Sequence, residues 1–154
     1  MSNDSEDKLS GFAELLRHGL GDLLTPEATN FIEMMTEDGV VEFPYAPDGA
    51  VHSVTGRAEL SSYIEHLNGV IEFLSFSEPR VHHTTDPHVV ILEFTAQGRG
   101  VKTGELFKQT YISVITVRDG HIEYYRDYWN PLIGLEEIGG LELSAAEQHA
   151  EARP

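Results

Sequence analysis

The 154-residue sequence predicts an α+β protein, with helices laid on one face of a curved antiparallel sheet. Three observations lead there. The N-terminal part carries apolar residues at three- and four-residue steps, the spacing of amphipathic helices. The remainder is dominated by long runs rich in Val, Ile, Phe, Thr and Tyr, the composition of strands. Asp119-Gly120 lies between the last two runs, and this dipeptide is the strongest short signal for a tight antiparallel hairpin.

Leu9, Phe12, Ala13, Leu16 and Leu20 predict a first helix from Leu9 to Leu20, closed by Gly19 and Gly21. Thr25 has the chemistry of an N-cap, and Pro26 suits the first helical position, where its missing N–H costs nothing. A second helix is therefore predicted there, burying Ala28, Phe31, Ile32 and Met35 and ending at Gly39. A short strand, "VVEF", and the turn-rich "PYAPDGAV" lead to a third helix from about Arg57 to Asn68. Leu60, Tyr63, Ile64 and Leu67 form its buried stripe, and Gly69 its C-cap. Strands are predicted at about Ile71–Thr84, His88–Gly98, Leu106–Val117 and His121–Trp129, with "TTDPH" and "KTG" as turns. Residues 142–154 read as a frayed tail behind one domain whose core runs over about residues 9–141. No internal repeat or linker divides the chain.

Ten basic against 26 acidic residues give a formal net charge of −16, which repels nucleic acid and anionic membranes. The excess reads as a device for solubility or as an attraction for a cationic partner. No apolar run approaches the roughly 20 residues of a membrane helix, and the N-terminus has no basic, greasy leader. With no cysteine, thiol chemistry is excluded and a reducing cytoplasm is the expected compartment.

One stretch, "EYYRDYWNPL", places Asp127 in an aromatic strand, where an unpaired buried carboxylate costs several kcal/mol or shifts its pKa upward. Strand alternation puts Tyr125, Asp127 and Trp129 on one face and Tyr124, Arg126 and Tyr128 on the other, so Arg126 does not face the acid. Asp127 is then either half of an ion pair with another element, an exposed acid, or a functional carboxyl. The histidines lack metal-ligand spacing. His82 and His83 point to opposite faces of a strand, and His52, His88 and His121 fall near turns, so no metal site is expected. The glycines form no phosphate or dinucleotide loop, and no cofactor is implied.

The order of elements, together with "EFPYAPDG", "VTGRAEL" and "YRDYWNPLIGLEEIGG", resembles the nuclear-transport-factor-2-like superfamily. Within it, the chain is similar to the SnoaL-like polyketide cyclases and the phenazine-biosynthesis A/B proteins over roughly Leu9 to Leu141. The resemblance implies a cone-shaped half barrel whose pocket lies between the concave sheet and the helices, a short helix after Asn130-Pro131, and a homodimer joined through the sheets. It also implies that Asp127 points into the pocket and moves protons. The chain departs from related branches at particular residues. Ketosteroid isomerases place their base where Phe43 precedes Pro44. Limonene-epoxide hydrolases carry an acid and an arginine at the positions of Phe94 and Ala96, and a Tyr and an Asn at those of Val41 and Phe43. Phenazine-type proteins have a histidine nearest to Tyr63, with His66 one turn on.

With Asp127 inward, the expected pocket wall is Leu92, Phe94, Ala96, Tyr125 and Trp129, with Tyr111 and Ser113 on the adjoining strand. Such surroundings raise a carboxyl pKa toward neutrality, where it both accepts and donates protons. The phenols of Tyr111, Tyr63 and Tyr45 are candidates to hold charge developing on an enolate or alkoxide, and His83 or His52 to relay protons at the mouth. The sequence thus suggests a cofactor-independent isomerase or cyclase acting on a small hydrophobic, polyketide-like or aromatic metabolite. Its alternatives are a non-catalytic binding module of the same fold and, less favoured, an epoxide hydrolase or epoxide-opening cyclase. An apolar stripe of Val89, Ile91, Ile112 and Val114 opposite the pocket is the expected dimer face.

Overall fold

Helix α1 (Ser10–Leu20) turns Ala13, Leu16 and Leu20 inward, as its periodicity demands, and ends at Gly21, whose φ of 52° favours a residue without a side chain. The coordinates are a computed structural model that describes residues 9–133. The expected helix after Asn130-Pro131 and the expected tail lie outside the described residues.

The second helix differs from expectation. Residues Thr25 to Asn30 are not helical, and α2 is only Phe31–Met34. Tertiary bonds hold the preceding segment in a turn instead of a helix. The Thr25 N–H donates to Gly120 O at 2.8 Å, and the Arg17 guanidinium donates to the carbonyls of Thr25 and Ala28. Asn30, rather than Thr25, is the cap: its side chain accepts from the Glu33 N–H at 2.9 Å, while Glu33 accepts from the Thr29 N–H. Met35 leaves the helix to begin strand β1 (Met35–Glu42), so Gly39 sits inside a strand instead of ending a helix. A Cβ on Gly39 would lie 3.1 Å from Ile122 O, and the β1 register shifts at this point.

Strand β2 (Ser53–Thr55), not foreseen, pairs with β1 and leads into α3 (Arg57–Val70). Leu60 and Ile64 of α3 are buried, and the helix continues through Gly69 to Val70, so Gly69 is not its cap. The run predicted as one strand from Ile71 to Thr84 is two, β3 (Ile71–Phe76) and β4 (Arg80–His83). Both pair with β5 (Val89–Gly100), one beyond the other along the same edge, and Pro79, lacking an N–H, falls in the gap. Strands β6 (Leu106–Arg118) and β7 (His121–Trp129) complete an open sheet in the order β2-β1-β7-β6-β5-β3, with β4 also on β5. Asp119 and Gly120 both have positive φ, 51° and 84°, as the hairpin turn requires.

Five of the six pairings are antiparallel; β1 runs parallel to β7. The helices cover the face carrying Leu92, Phe94, Ile115 and Tyr125, and the core lies between them. No described helix is long and apolar enough to cross a membrane.

Two glycines predict opposite outcomes. A Cβ on Gly19 would meet Leu92 at 2.7 Å, whereas one on Gly69, inside α3, meets nothing within 4 Å. Gly19→Ala should cost roughly 1–3 kcal/mol by overpacking, and Gly69→Ala should add roughly 0.5–1 kcal/mol, measured by urea denaturation.

Candidate functional site

Strand pairing places the site. Across β5, β6 and β7, one inward row is Phe94, Tyr111 and Trp129, and the next is Leu92, Ser113 and Asp127. A bulge in β7 at Glu123, opposite Thr116 and Val117 of β6, lets both Ile122 and Tyr125 face inward. Above these rows, Leu9 just before α1, Phe12 of α1, Phe31 of α2, and Leu60, Tyr63 and Leu67 of α3 border a cavity of about 120 Å³. Phe43, Phe73 and Phe76 complete its aromatic wall, and Val51, 36 % exposed, marks its rim. Phe94 stacks on Tyr111 with centroids 5.1 Å apart, and Phe43 lies 5.2 Å from Tyr63.

Asp127 is half-buried and opens on this cavity. Its neighbour Arg126 points to the opposite face and lies over the Tyr124 ring at 5.6 Å. No ion pair among the described residues involves Asp127. Burial pushes its carboxyl up from the usual carboxylate range to about 8, because apolar surroundings disfavour the charged form. The Tyr111 phenol is raised by burial first and then by the negative charge of Asp127. The Tyr125 phenol is raised by the same two causes, against the pull of a 2.7 Å hydrogen bond with Ser113 Oγ. Both phenols therefore stay protonated throughout the working pH range and keep a hydrogen to donate.

Of the residues expected at the site, Asp127, Tyr111, Tyr63, Phe94, Tyr125 and Trp129 line the cavity. Five do not. Leu92 and Ala96 face inward but are covered, Leu92 by α1 at Gly19. Ser113 is fully buried and holds the Tyr125 hydroxyl. Tyr45 is 59 % exposed and packs edge-on against Tyr128, which alternation turns to the far face. His83 is exposed on strand β4, beside a separate shallow groove with His18 and Val81. His52 is likewise exposed. The wall missed by sequence reasoning is chiefly phenylalanine: Phe12, Phe31, Phe43, Phe73 and Phe76. Periodicity could mark Phe12 as buried, but not as facing a void.

A mixed sheet with helices over one face and a partly open apolar cavity holding one acid defines a protein of the nuclear-transport-factor-2-like class. The chain belongs to the SnoaL-like domain family, whose model matches residues 21–125 and so stops just short of Asp127. It is 40 % identical over 134 residues to YesE of Bacillus subtilis (strain 168), covering 87 % of this chain and 91 % of YesE. It is 38 % identical over 136 residues to the PhzA/B-like protein PA3332 of Pseudomonas aeruginosa, covering 86 % and 93 %. Among solved structures, a candidate isomerase from Bacillus subtilis superposes with a TM-score of 0.69 at 39 % identity, covering 86 % of this chain and 96 % of the other. A nuclear-transport-factor-2-like protein of Burkholderia xenovorans LB400, at 21 % identity and a TM-score of 0.58, covers 92 % and 98 % and shares the fold.

The raised carboxyl has a definite consequence for stability. Between the unfolded carboxyl pKa and about 8, the folded state holds a proton that the unfolded chain has released, so stability falls as pH rises through that window. Asp127→Asn removes this titration. In thermal melts the variant should match the wild type at about pH 5 and exceed it at about pH 9. A wild type more stable than the variant at the alkaline end would mean that a cation holds the carboxylate.

Proposed function

We propose that the protein is a cofactor-independent isomerase or cyclase that moves a proton on a small hydrophobic, polyketide-like or aromatic metabolite, with Asp127 as general acid/base. The observation that carries this reading is a carboxyl shifted to about 8 in a cavity whose described lining holds no other carboxyl. At neutral pH roughly a tenth of such a group is ionised, enough to abstract a proton adjacent to a carbonyl, and the resulting acid returns it elsewhere. Tyr111, whose phenol keeps its proton, faces the same space and would donate to the oxygen on which enolate charge develops. Tyr63, on α3 across the cavity, is the second phenol that faces this space. A lone described carboxyl argues against the two-acid epoxide-opening apparatus. Family membership supports the reaction class, and the aromatic wall supports the substrate class.

Cyclohex-2-enone, a neutral carbon acid, provides a general reporter, with exchange of its acidic hydrogens in deuterium oxide followed by proton NMR. The wild type should accelerate exchange, with a rate that rises with pH and levels off above about 8, the pH at which the base is fully ionised. Asp127→Asn should lower it by about 10²–10⁴. Undiminished exchange in the Asn variant would move the assignment to a binding module, with the acid serving only to shape the cavity.

We further infer a homodimer, working in a reducing cytoplasm, joined through the face opposite the cavity. There Ile91 pairs across from Val114, and Ile112, 44 % exposed, lies beside them with Val89. Sedimentation should show a dimer at micromolar concentration, and Ile112→Lys should shift it toward monomer without altering the far-UV circular dichroism.

A further inference from the structure

The cavity is defined as much by the charges it lacks as by the acid it holds. None of its described lining residues is Lys, Arg or His. Three arginines of the helix and sheet layers are engaged elsewhere. Arg17 donates to the carbonyls of Thr25 and Ala28, Arg57 donates to Met35 O, and Arg126 lies on the far face against Tyr124. A carboxylate or phosphate entering this space would leave water without meeting a cation, and would face Asp127. The net charge of −16 adds a repulsive field on the approach.

Size and shape narrow the ligand further. A volume of about 120 Å³ is close to that of a protein cavity that accepts benzene, about 150 Å³. Six of the chain's seven phenylalanines, three tyrosines and Trp129 form most of the wall. Two pairs are stacked nearly parallel, Phe94 with Tyr111 at 19° and Phe73 with Phe76 at 28°, so the wall presents flat surfaces. The polar groups gather at the sheet: Asp127, Tyr111 and Tyr125, the last already bonded to Ser113, with Tyr63 facing them from α3. One carbonyl oxygen, with two lone pairs and no charge, fits that small polar end. A cation gains from the ion pair about what desolvating it costs, and it must first ionise an acid that burial holds about nine-tenths protonated near pH 7, so it binds about tenfold less well than a neutral ligand.

We propose that the cavity selects an uncharged carbonyl compound of a single ring and excludes carboxylates, phosphates and polycyclic molecules. This deepens the reading of the cavity as a substrate site and rests on it, but it concerns what enters the site and not what happens there. Many hydrophobic metabolites would satisfy the proposed chemistry; this geometry restricts them to neutral, monocyclic ones.

Trp129 is the only tryptophan in the chain and lines the cavity, so its fluorescence reports occupancy without any turnover. The full-length protein would be titrated near neutral pH with benzamide, benzoate and benzylamine, which share one ring and differ in charge, and with anthracene-2-carboxamide, which has three rings. Benzamide should change the emission saturably, with a Kd at least about tenfold below those of benzoate and benzylamine. The three-ring amide should give no saturable change, and Trp129→Phe should abolish the benzamide signal. Benzoate or benzylamine binding as tightly as benzamide would overturn the charge rule. Saturable binding of the three-ring amide, or no response to benzamide, would overturn the size rule. The enone exchange assay can fail while this ranking holds, or succeed while the ranking fails, so the two readings fall separately.

Discussion

The register of three neighbouring strands carries the rest of the molecule. Pairing of β5 with β6 and of β6 with β7 sets Phe94, Tyr111 and Trp129 in one inward row and Leu92, Ser113 and Asp127 in the next. Because side chains alternate along a strand, a slip of one residue in β7 would bury Arg126 among the rings and expose Asp127. The turn at Asp119-Gly120 guards against that slip. Its two positive φ angles match the twist of the strands it joins, and Gly120 approaches Thr25 so closely that a Cβ would lie 3.1 Å from the threonine side chain. The same turn accepts a hydrogen bond from the Thr25 N–H, tying the segment between α1 and α2 to the sheet.

Two kinds of inward residue follow from that register, and they do different work. Leu92, Ile115 and Ile122 are wholly covered by helices and hold the layers together. Phe94, Tyr111 and Asp127 lie where the helices stand off from the sheet, leaving space rather than contact. The unusual state of Asp127 is a product of that separation. A carboxyl under a close-packed helix would be excluded by cost, and one on the convex face would have water or Arg126 beside it. Facing an aromatic void, it keeps its proton to about pH 8. Ser113, its neighbour across the strand, is spent on Tyr125.

The likeness to YesE and to the PhzA/B-like protein of Pseudomonas aeruginosa extends over most of each chain and accounts for the shared architecture. The SnoaL-like match ends at residue 125, so the argument for Asp127 stands on this chain's own alternation, burial and wall. The aromatic wall is assembled from distant parts of the chain, Phe12 and Phe31 near its start and Phe73, Phe76 and Phe94 in its middle.

What the sequence by itself determined is everything that depends on short-range periodicity and turn chemistry. The stripes of α1 and α3, the hairpin at Asp119-Gly120, and the placing of Asp127 and Arg126 on opposite faces of β7 are set by spacings of two, three and four residues. Tertiary structure decided where backbone groups had more than one partner available. Thr25 could cap a helix, but its N–H is taken by Gly120 and its carbonyl by Arg17, so the predicted second helix shrinks to four residues capped by Asn30. Gly39 could end a helix, but it lies against Ile122 in a strand parallel to β7. Likewise, hydrophobicity alone cannot tell a residue that touches a neighbour from one that faces a void. Leu92 and Phe94 are equivalent by pattern, yet only Phe94 lines the cavity, because Gly19 brings α1 down onto one and not the other. Tyr45 and His83 fell outside the site for a related reason: a residue in a loop or on an edge strand takes its direction from long-range packing, which no local pattern encodes.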